Sequence, residues 1–210
     1  MGAVFALQFG MSAVFASIAG MTLQQTSIFV AAFYVGALIC QYPLGWISDR
    51  MDRRVLIAAV AAAGGCAGIV GLLFTDSFTV LVTVAAIIGG SANPLYSLLI
   101  AYTNDFLDPE DMASGSAGLM FVNGIGAIIG PLATGYLMQA IGPRGYFILI
   151  AVPMLALTGY ALYRMTRRPA PSVEETGSYT YYAPTGTVVA MEYAQEVAIE
   201  AADSEEERAT

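Results

Sequence analysis

A chain of 210 residues that is 57% hydrophobic and only 11% charged holds less than half the charge of an ordinary soluble domain, which is about 25% charged. That composition excludes a typical water-soluble globular protein. Its basic residues are all arginine, with no Lys and no His, and the net charge is −8. Nucleic-acid binding through a basic patch is therefore excluded. The charge is also uneven: residues 1–163 hold four Arg and seven acids, whereas residues 164–210 hold four Arg and nine acids.

The apolar residues come in blocks of about 18–25, the length that crosses a hydrocarbon core at about 1.5 Å per residue. Residues 1–48 carry no charge, and residues 1–20 lack the basic start of a cleaved signal peptide. They read as a first spanning helix. In chain order the expected spans are residues 2–20, 27–47, 55–74, 78–102, 113–140 and 146–163. The breaks fall at residues 20–26, 48–54, 75–77, 104–111 and 141–145. Each span must be a helix, because a lone strand would leave its backbone groups unpaired in lipid. The fold class is thus all-α: a polytopic membrane protein of six helices over residues 1–165. Residues 166–210, rich in Pro, Gly, Ser, Thr and then Glu, read as an acidic, largely disordered tail. Within it, residues 189–201 form a helix only against the repulsion of Glu192, Glu196 and Glu200 on one face.

Arginines near the span ends set the orientation. Arg50, Arg53, Arg54, Arg164, Arg167 and Arg168 fall on one side and Arg144 on the other. The expectation is a multi-pass protein of the cell (plasma or inner) membrane with both termini in the cytoplasm.

The turn between spans two and three concentrates the charge: Gly45-Trp46-Ile47-Ser48-Asp49-Arg50-Met51-Asp52-Arg53-Arg54. Gly45 permits close helix approach, and Asp49 is a short anion suited to the positive N-terminus of another helix. The small residues Ala113, Ser114, Gly115 and Ser116 at the start of span five are the natural acceptor. The arginines can pair with Asp105, Asp108, Glu110 or Asp111 on the next loop of the same side, forming a gate, or serve only as topology anchors. In span five, Gly126 and Gly130 make a small-xxx-small face, Pro131 removes a helix hydrogen bond, and Gly135 extends the small-residue run.

Two of these segments resemble motifs of the major facilitator superfamily. The charged turn resembles motif A, roughly G-x-L-a-D-R-x-G-R-R/K, through Gly45, Asp49, Arg50, Arg53 and Arg54. Ile47 replaces Leu, and Asp52 stands where the family has Gly, so the turn lacks the residue that tolerates a left-handed backbone. Residues 126–135 resemble motif C, G-x-x-x-G-P-x-x-G-G, with Thr134 replacing one Gly. That motif belongs to antiporters of the superfamily, although plain helix packing accounts for the same residues. The resemblance implies one six-helix half, the C-terminal one, of a twelve-helix secondary transporter whose two halves rock about a central site. It also implies that spans one and four line the cavity. The candidates there are Gln8, Ser12 and Phe15 on span one and Asn93, Tyr96 and Ser97 on span four, with Asn123 on span five. Pro94 bends span four and turns carbonyls near Gly90 toward the cavity. Together these residues suit a small neutral or amphipathic solute.

The expected partners are the lipid bilayer, a small-molecule substrate, and either an N-terminal six-helix half or a second copy. The alternative reading is a six-helix subunit or truncated remnant that transports nothing alone. In either case an isolated half would expose Gln8, Ser12 and Asn93 to lipid and would aggregate or oligomerise. Nothing asks for a cofactor or metal: Cys40 and Cys66 form no ligand cluster, and there is no Gly-rich Lys loop for a nucleotide. No intramembrane acid and no nucleophile–base set is present, so the chain does not read as an enzyme.

Overall fold

The computed structural model describes residues 1–107 and 111–167. All secondary structure among these residues is helical. Helix α1 is Gly2–Ile18, α2 is Leu23–Ser48, α3 is Arg53–Leu73, α4 is Phe78–Asn104, α5 is Met112–Ile141 and α6 is Arg144–Met165. Five of the six, α2 to α6, are long and apolar enough to cross a bilayer, and α1 is shorter. Residues 168–210, nearly all of the expected tail, lie outside the described residues.

Local chemistry sets the breaks. Gly20 and Gly142 adopt positive φ, 74° and 77°, which ends α1 and α5 because Gly reaches that region without a Cβ clash. At the start of α2, the Thr22 hydroxyl accepts the Gln25 N–H at 3.2 Å, and the Gln25 side chain accepts the Thr22 N–H at 2.9 Å. Two orphan donors are thereby satisfied reciprocally. The turns at the α1–α2, α3–α4 and α5–α6 connections share one end of the bundle, where Ile18, Ala19, Thr75, Asp76, Ile141, Pro143 and Arg144 surround a shallow hollow.

Helices pair through small residues. A Cβ on Gly36 would collide with the Ala86 backbone, and one on Gly89 with the Phe33 carbonyl, so α2 and α4 touch backbone to backbone. On α3, Gly64, Gly65, Gly68 and Gly71 leave room for Met154, Leu155, Ala151 and Phe147 of α6. On α5, Gly126 and Gly130 face Ala3 of α1, and Asn123 O meets Gly2. Fully buried rings of Phe15, Phe29, Phe33, Tyr146 and Phe147 lock α1, α2 and α6 together, with Phe15 and Tyr146 stacked at 4.7 Å between centroids.

Helix α4 is the centre of the bundle, with 61% of its apolar window buried, and α5 the periphery, with 11%. Leu38 and Tyr42 on α2, and Phe121, Ile128, Leu132 and Tyr136 on α5, present their side chains outward.

The packing makes a direct stability prediction. Gly89→Val should lower stability by about 1–3 kcal/mol through overpacking. Gly159→Ala, at a site with nothing within 4 Å of a new Cβ, should stay within about 0.5 kcal/mol of the parent. Thermal unfolding in one mild detergent measures both.

Candidate functional site

The charged turn is built by α2, α3 and α4. Gly45 is buried near the end of α2, and its carbonyl receives the Asp49 N–H at 3.2 Å. Asp52 caps α3: its Oδ1 accepts the Arg54 N–H at 2.9 Å, and the Arg54 guanidinium returns to the same carboxylate at 3.1–3.3 Å. No described residue of the turn has positive φ. The aspartate at the usual Gly position therefore contributes a helix cap, and the turn closes without left-handed geometry.

Arg53 reaches across to α4. Its Nη1 lies 2.6 Å from Asp105 Oδ1 and 2.8 Å from Oδ2, with the two side chains only 3% and 5% exposed. Asp49 Oδ1 is 3.8 Å from Arg53 Nη2 and is 40% exposed. Ser48 Oγ and Asn104 Oδ1, the chain neighbours of Asp49 and Asp105, are buried without a hydrogen-bond partner among the described residues. Asp108 and Glu110 lie outside the described residues, and Asp111 is exposed.

Arg50 makes local contacts among the described residues. Its guanidinium lies 4.1 Å from the centroid of the exposed Trp46 ring and donates to the Trp46 carbonyl at 3.1 Å. Its contacts are local because its own helix end offers both a carbonyl and an aromatic face one turn away.

The cavity candidates fall differently from expectation. Gln8, Ser12, Phe15, Asn93, Tyr96 and Ser97 are all buried inside this bundle, none above 5% exposure. The expectation that Gln8, Ser12 and Asn93 lie open to lipid is thereby corrected: the face of α1 that carries them packs inward. Phe15 belongs to the aromatic lock. Tyr96 packs edge-on to Phe5 at 5.7 Å. The Asn93 amide donates to the Gly89 carbonyl at 2.9 Å, and a Cβ on Gly90 would meet Cys40 Sγ and the Gly36 carbonyl. The stretch preceding Pro94 thus packs on α2. Asn123 is half-buried, and its Oδ1 has no partner among the described residues. The sharpest anomaly is Gln8, fully buried with both Oε1 and Nε2 unpartnered among the described residues, a cost of about 1–3 kcal/mol per orphaned group.

In α5, Gly126 and Gly130 do face another helix, whereas Gly135 has nothing within 4 Å of a new Cβ and contributes no close approach here. Thr134, the departure from the motif C pattern, is fully buried and donates its hydroxyl to the Gly130 carbonyl at 2.8 Å beside Pro131. Sequence reasoning missed the glycine stripe of α3, although Gly64 and Gly68 are spaced as a small-xxx-small pair. It also missed a π-helical turn at Leu7–Met11, for which no residue pattern gave a signal.

The sequence model of the Major Facilitator Superfamily matches residues 1–193. The chain belongs to this superfamily. It is 27% identical to an uncharacterized MFS-type transporter, YfkF, of Bacillus subtilis over 64% of this chain and 34% of that protein. It is 26% identical to a benzoate transport protein of Acinetobacter baylyi, over 64% and 29%, and 27% identical to a gallate transporter of Pseudomonas putida, over 65% and 31%. The chain therefore spans about a third of the length of these relatives. Among solved structures it resembles an auto inhibited POT family peptide transporter, with a TM-score of 0.68 at 15% identity over 82% of this chain and 37% of that one. It also resembles the human organic anion transporter MFSD10, with a TM-score of 0.56 at 20% identity over 82% and 40%. Membership and the apolar helices make this superfamily member a multi-pass membrane protein, and its named relatives are transporters rather than enzymes.

The two arginines should differ on substitution. Arg53→Gln leaves Asp105 buried and unpaired and should cost about 3–5 kcal/mol. Arg50→Gln, at an exposed site, should cost less than about 1 kcal/mol. Detergent melting curves, read side by side, check the difference.

Proposed function

We propose that this chain forms one six-helix half of a secondary transporter that moves a small solute across the cytoplasmic membrane by alternating access. Superfamily membership of a chain that folds as a self-contained bundle, while spanning about a third of its relatives, carries this reading. The C-terminal half is the better fit, since an acidic tail rather than a basic connecting loop follows α6. The arginine bias across span ends favours cytoplasmic termini, with the charged turn on the inner face. The outward apolar faces of α2 and α5 suit packing against an N-terminal half or a second copy.

In this reading the Arg53–Asp105 pair ties the α2–α3 turn to the end of α4 while the inner face is closed, and it parts when that face opens. A buried ion pair suits a gate because its desolvation cost and its attraction nearly balance. Gln8, Ser12, Asn93, Ser97 and Asn123 are the polar groups nearest a solute path. Benzoate and gallate, the solutes named for two relatives, head the substrate screen.

Uptake of radiolabelled benzoate and gallate by cells expressing the complete reading frame that contains this chain tests the proposal. Accumulation above vector controls, cut at least about tenfold by Asp105→Asn as the gate loses its charge partner, is the expected result. Unchanged uptake in Asp105→Asn cells would remove the gate from the account. No uptake of any solute across a broad panel, with the protein folded in the membrane, would favour a non-transporting subunit.

A further inference from the structure

The π turn Leu7–Met11 interrupts α1 between two firmly held ends. On its N-terminal side, Gly2 and Ala3 sit against Asn123, Gly126 and Gly130 of α5. On its C-terminal side, Phe15 is wedged among Phe29, Tyr146 and Phe147. A π turn carries one residue more than an α turn and disturbs the carbonyl ladder around it. Here the Leu7 carbonyl receives the hydroxyl of the fully buried Tyr146 of α6 at 3.3 Å. Inside the same turn, Gln8 is fully buried with neither side-chain polar atom partnered. At Gly10, within the same turn, an added Cβ would meet nothing within 4 Å.

A π turn can shift along a helix while both ends stay in place, and each residue it passes then turns by about 100°, the α-helical angle per residue. Turned so, Gln8 takes the direction Phe9 has now, a half-buried position beside the rings of Phe5 and Tyr34. We infer that Tyr146 is a positioning residue: by holding the Leu7 carbonyl it keeps α1 in the register that stores the Gln8 amide fully inside the bundle, and release of that hydrogen bond turns Gln8 to the half-exposed side of α1 that Phe9 occupies now. The inference goes beyond the transport reading and does not depend on it.

Cysteine labelling of the full chain in lipid nanodiscs tests this, with Cys40 and Cys66 replaced by Ser. Single probes are Gln8→Cys, Ala16→Cys beyond the π turn, and Ala85→Cys in the core of α4, reacted with a water-soluble maleimide. With Tyr146 intact, position 8 should label at a slow but measurable rate, and positions 16 and 85 should not label. Tyr146→Phe should raise the rate at position 8 by about fivefold, the population change that one hydrogen bond carries, with positions 16 and 85 unchanged. Equal gains at all three positions would make Tyr146 a merely structural residue and overturn the inference. An unchanged rate at position 8 would overturn it too. Where Tyr146→Phe fails to fold, the protein with native Tyr146 still decides: no labelling at position 8 over any accessible time means that α1 has a single register.

Discussion

Apolar helices in a bilayer gain nothing by leaving lipid for one another, since lipid tails are as apolar as Leu; close van der Waals contact and paired polar groups must hold them instead. In this chain that contact is made by glycine. Gly36 and Gly89 bring α2 onto α4, Gly64, Gly68 and Gly71 bring α3 onto α6, and Gly126 and Gly130 bring α5 onto α1. Three tight pairs result, and the central α4 and the aromatic lock around Phe15 join them into one bundle. Every other feature of the protein depends on this close approach, because it fixes which side chains are shut inside and which remain outside.

What remains outside is informative. Helix α5 uses its glycines on one narrow face and leaves Phe121, Ile128, Leu132 and Tyr136 outward, as α2 does with Leu38 and Tyr42. In the proposed reading, these two peripheral apolar faces are where the bundle meets the rest of its assembly. The ion pair at the charged end is asymmetric in its neighbours: Arg53 and Asp105 are buried, whereas Asp49, Arg50 and Asp52 stay nearer to solvent. The pair that spans two elements is the most deeply buried, and Arg54, also buried, is held locally by the capping Asp52.

Much of this was legible in the sequence because the bilayer reduces the problem to length and punctuation. Gly20, Thr22, Asp52 and Gly142 ended or began helices within a few residues of the expected breaks, since caps and positive-φ glycines act locally. The Arg53–Asp105 contact was among the expected pairs because both residues sit at the same end of neighbouring spans. The facing of α1 was not legible. Gln8, Ser12 and Phe15 do share one face, as 3.6 periodicity requires, but periodicity does not say whether that face meets a cavity or the bundle's own core. In a uniformly apolar helix no polar stripe marks the outside. Nor does any residue pattern announce a π turn, at whose start the Leu7 carbonyl accepts the hydroxyl of the distant Tyr146.

If this bundle is one half of a larger assembly, as proposed, protein covers the outward faces of α2 and α5. The most direct test of that claim is the protein mass of the purified chain in mild detergent, with bound detergent subtracted. A particle holding at least two six-helix units is the predicted result. A stable, monodisperse single chain would contradict the claim and assign those faces to lipid.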